Sequence, residues 1–197
     1  MKILDIDNPD MLSSAVTNLN TGGVIIIPTE TVYGIACLWN NDAGKQRIFR
    51  IKKRPADKKL QILVGSIVMS KQVTDAFRGK ALKLAEKFWP GPLTIVVEEA
   101  SGASYGFRYP DYSLVQDIIH LLGAPLAATS ANISGEIPPK NPEDYGNTLG
   151  EPVDLLINAG TIKNGVPSTV VSVIDDKVEI LREGFISEEK IRNVLRS

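Results

Sequence analysis

A chain of 197 residues, 43% of them hydrophobic, is long enough to bury one core without a staple of disulfides or metal. Its only cysteine, Cys37, excludes a disulfide framework and a thiolate metal cluster, and its only histidine, His120, lacks the neighbours that histidine metal sites and Ser-His-Asp triads require. With 22 Lys and Arg against 23 Asp and Glu the net charge is -1, which argues against a wholly basic nucleic-acid binder.

Asn8-Pro9-Asp10 reads as an N-cap, a first-turn proline and a dipole-favoured acid. Leu12, Ala15, Val16 and Leu19 follow on one helical face, and Gly22-Gly23 ends the helix. Val24-Ile25-Ile26-Ile27 is a continuous β-branched run of the kind found in strands covered on both faces. It delivers Pro28-Thr29-Glu30-Thr31 at its C-terminal end. A helix over 42–53 buries Ile48 and Ile51, and Pro55 limits it.

Further strands are expected at 61–64, 93–97, 104–108, 125–129, 155–158, 170–174 and 178–181, with helices near 74–88, 112–122 and 187–196. Asp175-Asp176 between two alternating strands reads as a hairpin turn, so the sheet is expected to be mixed. The α and β elements interleave throughout, with no repeat and no long linker, so residues 1–197 are read as one α/β (α+β) domain. Ile137-Pro138-Pro139-Lys140-Asn141-Pro142 is the strongest loop candidate, a functional lid or a plain connector.

Positive charge is concentrated between 45 and 59, where Lys45, Arg47, Arg50, Lys52, Lys53, Arg54, Lys58 and Lys59 face only Asp57. No apolar run approaches the roughly 20 residues of a membrane span, and the first residues do not form a signal peptide, so a cytoplasmic protein with no membrane contact is expected. Chemistry in such a chain rests on lysine, arginine, hydroxyls, amides, backbone and borrowed metal.

Four polar clusters fall where strands end or loops begin: 28–34, 52–55, 129–135 and 167–170. A chain turning at Pro55 brings Lys52 and Arg54 to one anion, although two solvated charges at a helix C-terminus is an equally open reading. Ser130-Ala131-Asn132 reads either as a ligand turn or as an Asx-type cap. Neither a P-loop nor a dinucleotide-binding glycine fingerprint is present, so a bound nucleotide would be held another way.

The ordered motifs PTETVYG, KKRPADK, WPGPLT, FRYP, TSANISG, PSTVV and ILREG resemble the YrdC-like threonylcarbamoyl-AMP synthase family in its short, single-domain form, over about Gly22 to Gly184. The resemblance implies a twisted mixed sheet flanked by helices, with a concave basic active-site face. It implies an enzyme, an L-threonylcarbamoyladenylate synthase of the nucleotidyltransferase class. This would form threonylcarbamoyl-AMP and pyrophosphate from L-threonine, bicarbonate and ATP, with Mg²⁺ arriving on ATP.

The product would serve threonylcarbamoyladenosine modification of tRNA, with a tRNA threonylcarbamoyl transferase downstream and a possible tRNA contact. By position the resemblance implies a catalytic set of Lys52, Arg54, Ser130 and Asn132. Threonine would meet Thr31, Arg108, Ser130 and Ser168, and ATP would meet Arg54, Lys58, Ser104, Asn132, Lys140 and Arg182. No protein metal ligands are implied. A guanidinium suits the carboxylate role given to Arg108 because it pairs bidentately.

Two positions depart from the family pattern: Lys140 stands where many members have serine or threonine, and Arg182-Glu183-Gly184 replaces Arg-Pro-Gly. Trp89-Pro90-Gly91-Pro92 is read as packing and turn, Tyr33 and Cys37 as wall or core, His120 as a helix-face residue and Ser134-Gly135 as turn chemistry. Two other readings remain: an RNA-binding YrdC-like protein without synthase activity, and a carbamoyl-phosphate-using relative like the domain of hydrogenase-maturation carbamoyltransferases.

Overall fold

The computed structural model describes residues 1–139, 141–145, 149–162 and 165–196. Ten strands form one mixed sheet in the order β1-β8-β2-β3-β7-β4-β6-β5-β9-β10. They are β1 (Lys2–Asp5), β2 (Ile25–Ile27), β3 (Gly34–Leu38), β4 (Gln61–Leu63), β5 (Leu93–Glu98), β6 (Ser104–Arg108), β7 (Leu126–Ser130), β8 (Leu155–Asn158), β9 (Thr169–Ile174) and β10 (Lys177–Arg182). The described helices are α1 (Met11–Asn20), α2 (Asp42–Lys52), α3 (Ile67–Val73), α4 (Lys80–Phe88), α5 (Ser113–Leu122) and α6 (Glu188–Arg196), with a 3-10 turn at Pro142–Asp144.

The isoleucine run behaves as its composition demands. Ile25 and Ile27 pack with α1 and α5 residues such as Ala15, Leu19, Val115 and Ile119, whereas Val24 and Ile26 pack with Ile48 and Ile51 of α2. Strand β2 is thus covered on both faces, and each buried aliphatic side chain contributes roughly 1.5–3 kcal/mol. A further core under α4 and α6 gathers Leu84, Ile95, Phe107, Val171 and Ile191. Trp89 belongs there: its ring stacks on Phe77 at 5.3 Å and its Nε1 donates to the Leu93 carbonyl at 2.7 Å.

Asp175 and Asp176 make the two-residue turn joining β9 to β10, both with positive φ (48° and 62°) as a type I′ geometry requires. His120 lies exposed on α5. Several boundaries differ from the sequence expectation. Helix α1 begins at Met11, because Asn8 Oδ1 accepts from Asp10 N in a local turn. The helix expected over 74–88 begins only at Lys80: Thr74 is extended and Gly79 has φ 55°. Strands β1 and β3 and helix α3 were not expected. Strand β1 exposes most of its residues, and Gly34-Ile35-Ala36-Cys37-Leu38 gains strand character from pairing on both sides with β2 and β7.

Candidate active site

Side-chain alternation along the strands builds the site. On β6, Ser104, Gly106 and Arg108 line a cleft, while Phe107 between them is buried in the core. On β5, Thr94 and Val96 face the cleft, and Leu93, Ile95 and Val97 face the core. The register sets Val96 beside Gly106, Gly106 beside Gln61 of β4, and Gln61 beside Ala128 of β7, so one cross-strand row forms the floor. The cleft has a volume of about 540 Å³ and also takes in Arg54, Lys59, Ser130, Asn132, Ser168 and Arg182. A larger hollow of about 750 Å³ lies elsewhere, lined by Asp75, Glu98, Glu99, Asp175 and Asp176; it contains none of the motif residues.

At one end Arg108, only 2% exposed, donates from Nη2 to Thr31 Oγ1 at 2.8 Å. The same Nη2 lies 2.8 Å from Glu30 Oε1, an ion pair whose angles do not make it a hydrogen bond. Thr29 closes the preceding turn: its Oγ1 donates to the Val32 carbonyl at 2.6 Å and lies 3.0 Å from Thr31 Oγ1. Ser168 Oγ lies 2.9 Å from Thr94 Oγ1, which in turn donates to Gln61 Oε1 at 3.2 Å. Arg182 holds the Ser168 carbonyl with Nη2 at 2.8 Å and Nε at 3.2 Å. This end therefore holds a buried guanidinium bonded to the Thr31 hydroxyl and paired with Glu30, with the Thr94–Ser168 hydroxyl pair and Arg182 in the same part of the cleft.

The other end is cationic. Arg54 donates from Nε to the Lys58 carbonyl at 3.0 Å and from Nη2 to the Lys59 carbonyl at 2.8 Å. These bonds, the ones it makes among the described residues, use two of its five N–H donors. Lys59 reaches Ser104 Oγ at 2.9 Å. Lys58 is exposed, does not line the cleft, and enters through its carbonyl.

Lys52 sits behind the cleft wall, 1% exposed, with Nζ donating to the carbonyls of Ser130 and Asn132 and, at 3.4 Å, to Asn132 Oδ1. Burial, and after it the charge of Arg54, push its pKa down to about 7, against which the surrounding carbonyls favour the charged form. Asn132 Nδ2 donates to the Ile133 and Glu136 carbonyls at 2.7 Å each, so Lys52 and Asn132 together shape the 130–136 turn. Gly135, at the cleft rim, has φ 96°, a conformation that favours glycine.

Behind the turn Tyr33 and Tyr145 pack at 5.3 Å, and Tyr145 donates to the Pro139 carbonyl at 2.6 Å, fixing that part of the proline loop. Burial raises the pKa of both phenols. Cys37 is fully buried, and burial pushes its thiol up to about 12. Lys140 lies outside the described residues.

The structure thus brings Thr31, Arg108, Ser168 and Arg182 to one end, Arg54 and Ser104 to the other, and Ser130 and Asn132 between. Sequence reasoning gave no role to Glu30, Lys59, Gln61 or Thr94. For Gln61 and Thr94 the signal was a polar residue on the non-core register of a buried strand. For Glu30 it was a carboxylate between two threonines at the end of an apolar strand.

The Sua5_yciO_yrdC family model ("Telomere recombination") matches residues 17–184. The chain is 32% identical over 198 residues to the threonylcarbamoyl-AMP synthase of Bacillus subtilis, covering 95% of this chain and 57% of that protein. It is 33% identical over 180 residues to a putative threonylcarbamoyl-AMP synthase of Methanocaldococcus jannaschii, covering 86% and 84%. The crystal structure of Pyrococcus abyssi Sua5 complexed with L-threonine superposes with a TM-score of 0.86 at 29% identity, over 99% of this chain and 61% of that one. The chain thus spans about three fifths of the length of the B. subtilis and P. abyssi proteins. A motif-bearing core, a ten-stranded sheet and matched relatives agree, and the chain belongs to the Sua5/YciO/YrdC family.

Proposed function

We propose that this chain is an L-threonylcarbamoyladenylate synthase, which makes threonylcarbamoyl-AMP and pyrophosphate from L-threonine, bicarbonate and ATP. The observation that carries the reading is one cleft that joins a buried arginine, bonded to the Thr31 hydroxyl, to a rim of cations. The first end suits a small hydroxylated amino acid, and the second suits a polyphosphate. The relative crystallised with L-threonine supports the same reading.

Arg108 pairs with the threonine carboxylate, with Thr31 and Ser168 alongside. Bicarbonate loses hydroxide to give carbon dioxide, and the deprotonated threonine amine attacks it, forming the C–N bond of a carbamate and giving up its proton to that hydroxide as water. A carbamate oxygen then displaces pyrophosphate from the α-phosphorus of ATP. Both partners are anionic, so the chain's work is alignment and neutralisation, supplied by Arg54, Lys59 and Arg182.

Lys52 holds the Ser130–Asn132 turn in place, and Ser130 and Asn132 present that turn between the two ends. Mg²⁺ enters as a substrate on the ATP phosphates. Phosphate and water would be its main donors. Lys58 and Lys140 would contact ATP, and the adenylate would pass to a tRNA threonylcarbamoyl transferase. No described helix is long and apolar enough to cross a membrane, and the proposed reaction would take place in the cytoplasm.

Incubation with ATP, Mg²⁺, L-threonine and ¹³C-bicarbonate, followed by mass spectrometry, tests the reading. Labelled threonylcarbamoyl-AMP is expected. Its absence, with carbamoyl phosphate supporting turnover or with RNA binding alone, would overturn it.

A further inference from the structure

The described residues contain four buried side-chain polar atoms without a hydrogen-bond partner, and three of them meet at one place: Glu30 Oε1, Glu30 Oε2 and Arg108 Nε. A buried ion pair ordinarily offsets its desolvation by satisfying its remaining donors and acceptors. Glu30 Oε1 touches Nη2 at 2.8 Å without hydrogen-bond geometry, Glu30 Oε2 and Arg108 Nε have no hydrogen-bond partner, and Thr31 Oγ1 takes the bond from Nη2. Orphaned acceptors and an orphaned donor side by side are complementary to a ligand that carries a cation and an anion one carbon apart.

The geometry points to Glu30 as a specificity-determining residue that receives the α-ammonium of the amino acid whose carboxylate Arg108 holds. This assignment rests on the functional reading above and adds a residue and a rule to it. The rule follows from the unpartnered atoms: an ammonium supplies donors to Glu30, and a carboxylate supplies an acceptor to Arg108 Nε, which is otherwise buried without one. A carboxylate without the amine would leave the Glu30 oxygens without a donor, and an amine without the carboxylate would leave Arg108 Nε orphaned. Glu30 therefore selects the zwitterion, while Thr31, Thr94 and Ser168 lie on the hydroxyl-lined side where a side-chain hydroxyl would be read.

Calorimetric titration of the unmodified chain with L-threonine, (R)-3-hydroxybutyrate, which lacks the amine, and L-threoninol, which lacks the carboxylate, tests the rule without any variant. Both analogues are expected to bind at least about tenfold more weakly than threonine, a difference of about 1.4 kcal/mol. In Glu30→Gln, threonine weakens by about tenfold or more while (R)-3-hydroxybutyrate strengthens, and Glu30→Asp keeps the wild-type order. A residue that only braces Arg108 would weaken both ligands in parallel. That parallel loss, or hydroxybutyrate binding the unmodified chain as well as threonine, would overturn the assignment. Loss of threonine binding by the unmodified chain would instead overturn the functional reading beneath it.

Discussion

Replacement of Lys52 by methionine separates a role in holding the site from a role in touching substrate. Methionine keeps the apolar stem, and the lost groups are the N–H donors to the Ser130 and Asn132 carbonyls. The Ser130 carbonyl keeps a bond from Asn132 N at 3.1 Å, so the Asn132 carbonyl is the one left unmet, at about 1–3 kcal/mol, offset in part because an ammonium is no longer desolvated. A net loss of about 1–2 kcal/mol follows, and at about 2–4 °C per kcal/mol for a chain of this size Tm falls by roughly 2–8 °C.

The pH profile gives a second signature. Lysine ordinarily titrates at 10.5, and Lys52 is lowered to about 7 in the folded chain. Between these values the unfolded chain binds the proton and the native chain does not, so stability rises with pH. The contribution is fully present above 10.5 and is lost as pH falls through about 7. The neutral amine still offers two N–H groups to the two carbonyls. Thermal melts of wild type and Lys52→Met from pH 6 to 10 measure both effects. An unchanged Tm and an unchanged slope, with turnover abolished, would refute the bracing role and place Lys52 on the substrate.

On the proposed function Arg54→Ala should lower turnover by about a hundredfold or more, because it removes a guanidinium that would meet developing phosphate charge; wild-type turnover would remove Arg54 from the phosphate site. Gly184→Ala should lower the unfolding free energy by about 1–3 kcal/mol, seen as a lower denaturant midpoint, and weaken turnover together, since the added Cβ would stand 2.3 Å from the Pro167 carbonyl oxygen and 2.8 Å from that of Ser168. Cys37, buried with its thiol raised to about 12, should react with a thiol reagent at pH 8 only on unfolding, and prompt labelling of the native chain would contradict its place in the core.

Much of this was written locally in the chain. Val24 to Ile27 announces a doubly covered strand, Asp175-Asp176 a hairpin, and the alternation of Ser104, Gly106 and Arg108 already assigns one face to solvent and the other to Phe107. What escaped notice depends on partners distant in sequence. Strand β3 has a small-residue sequence that becomes a strand between β2 and β7. Lys58 and Lys59 are indistinguishable as neighbours, and only the turn that Arg54 clamps decides that Lys59 meets Ser104. Lys52 reads either as half of an anion clamp with Arg54 or as a solvated charge at a helix end until the 130–134 turn folds over it, with Ser134 N donating to its carbonyl at 2.9 Å. Glu30 gains its meaning only from Arg108, far along the chain.

Pyrophosphate release from ATP, with bicarbonate and Mg²⁺ present, tests the account most directly when L-threonine, L-serine and no amino acid are compared. Release that requires L-threonine is the predicted result. Release at the same rate without any amino acid, or no release under all three conditions, would contradict it.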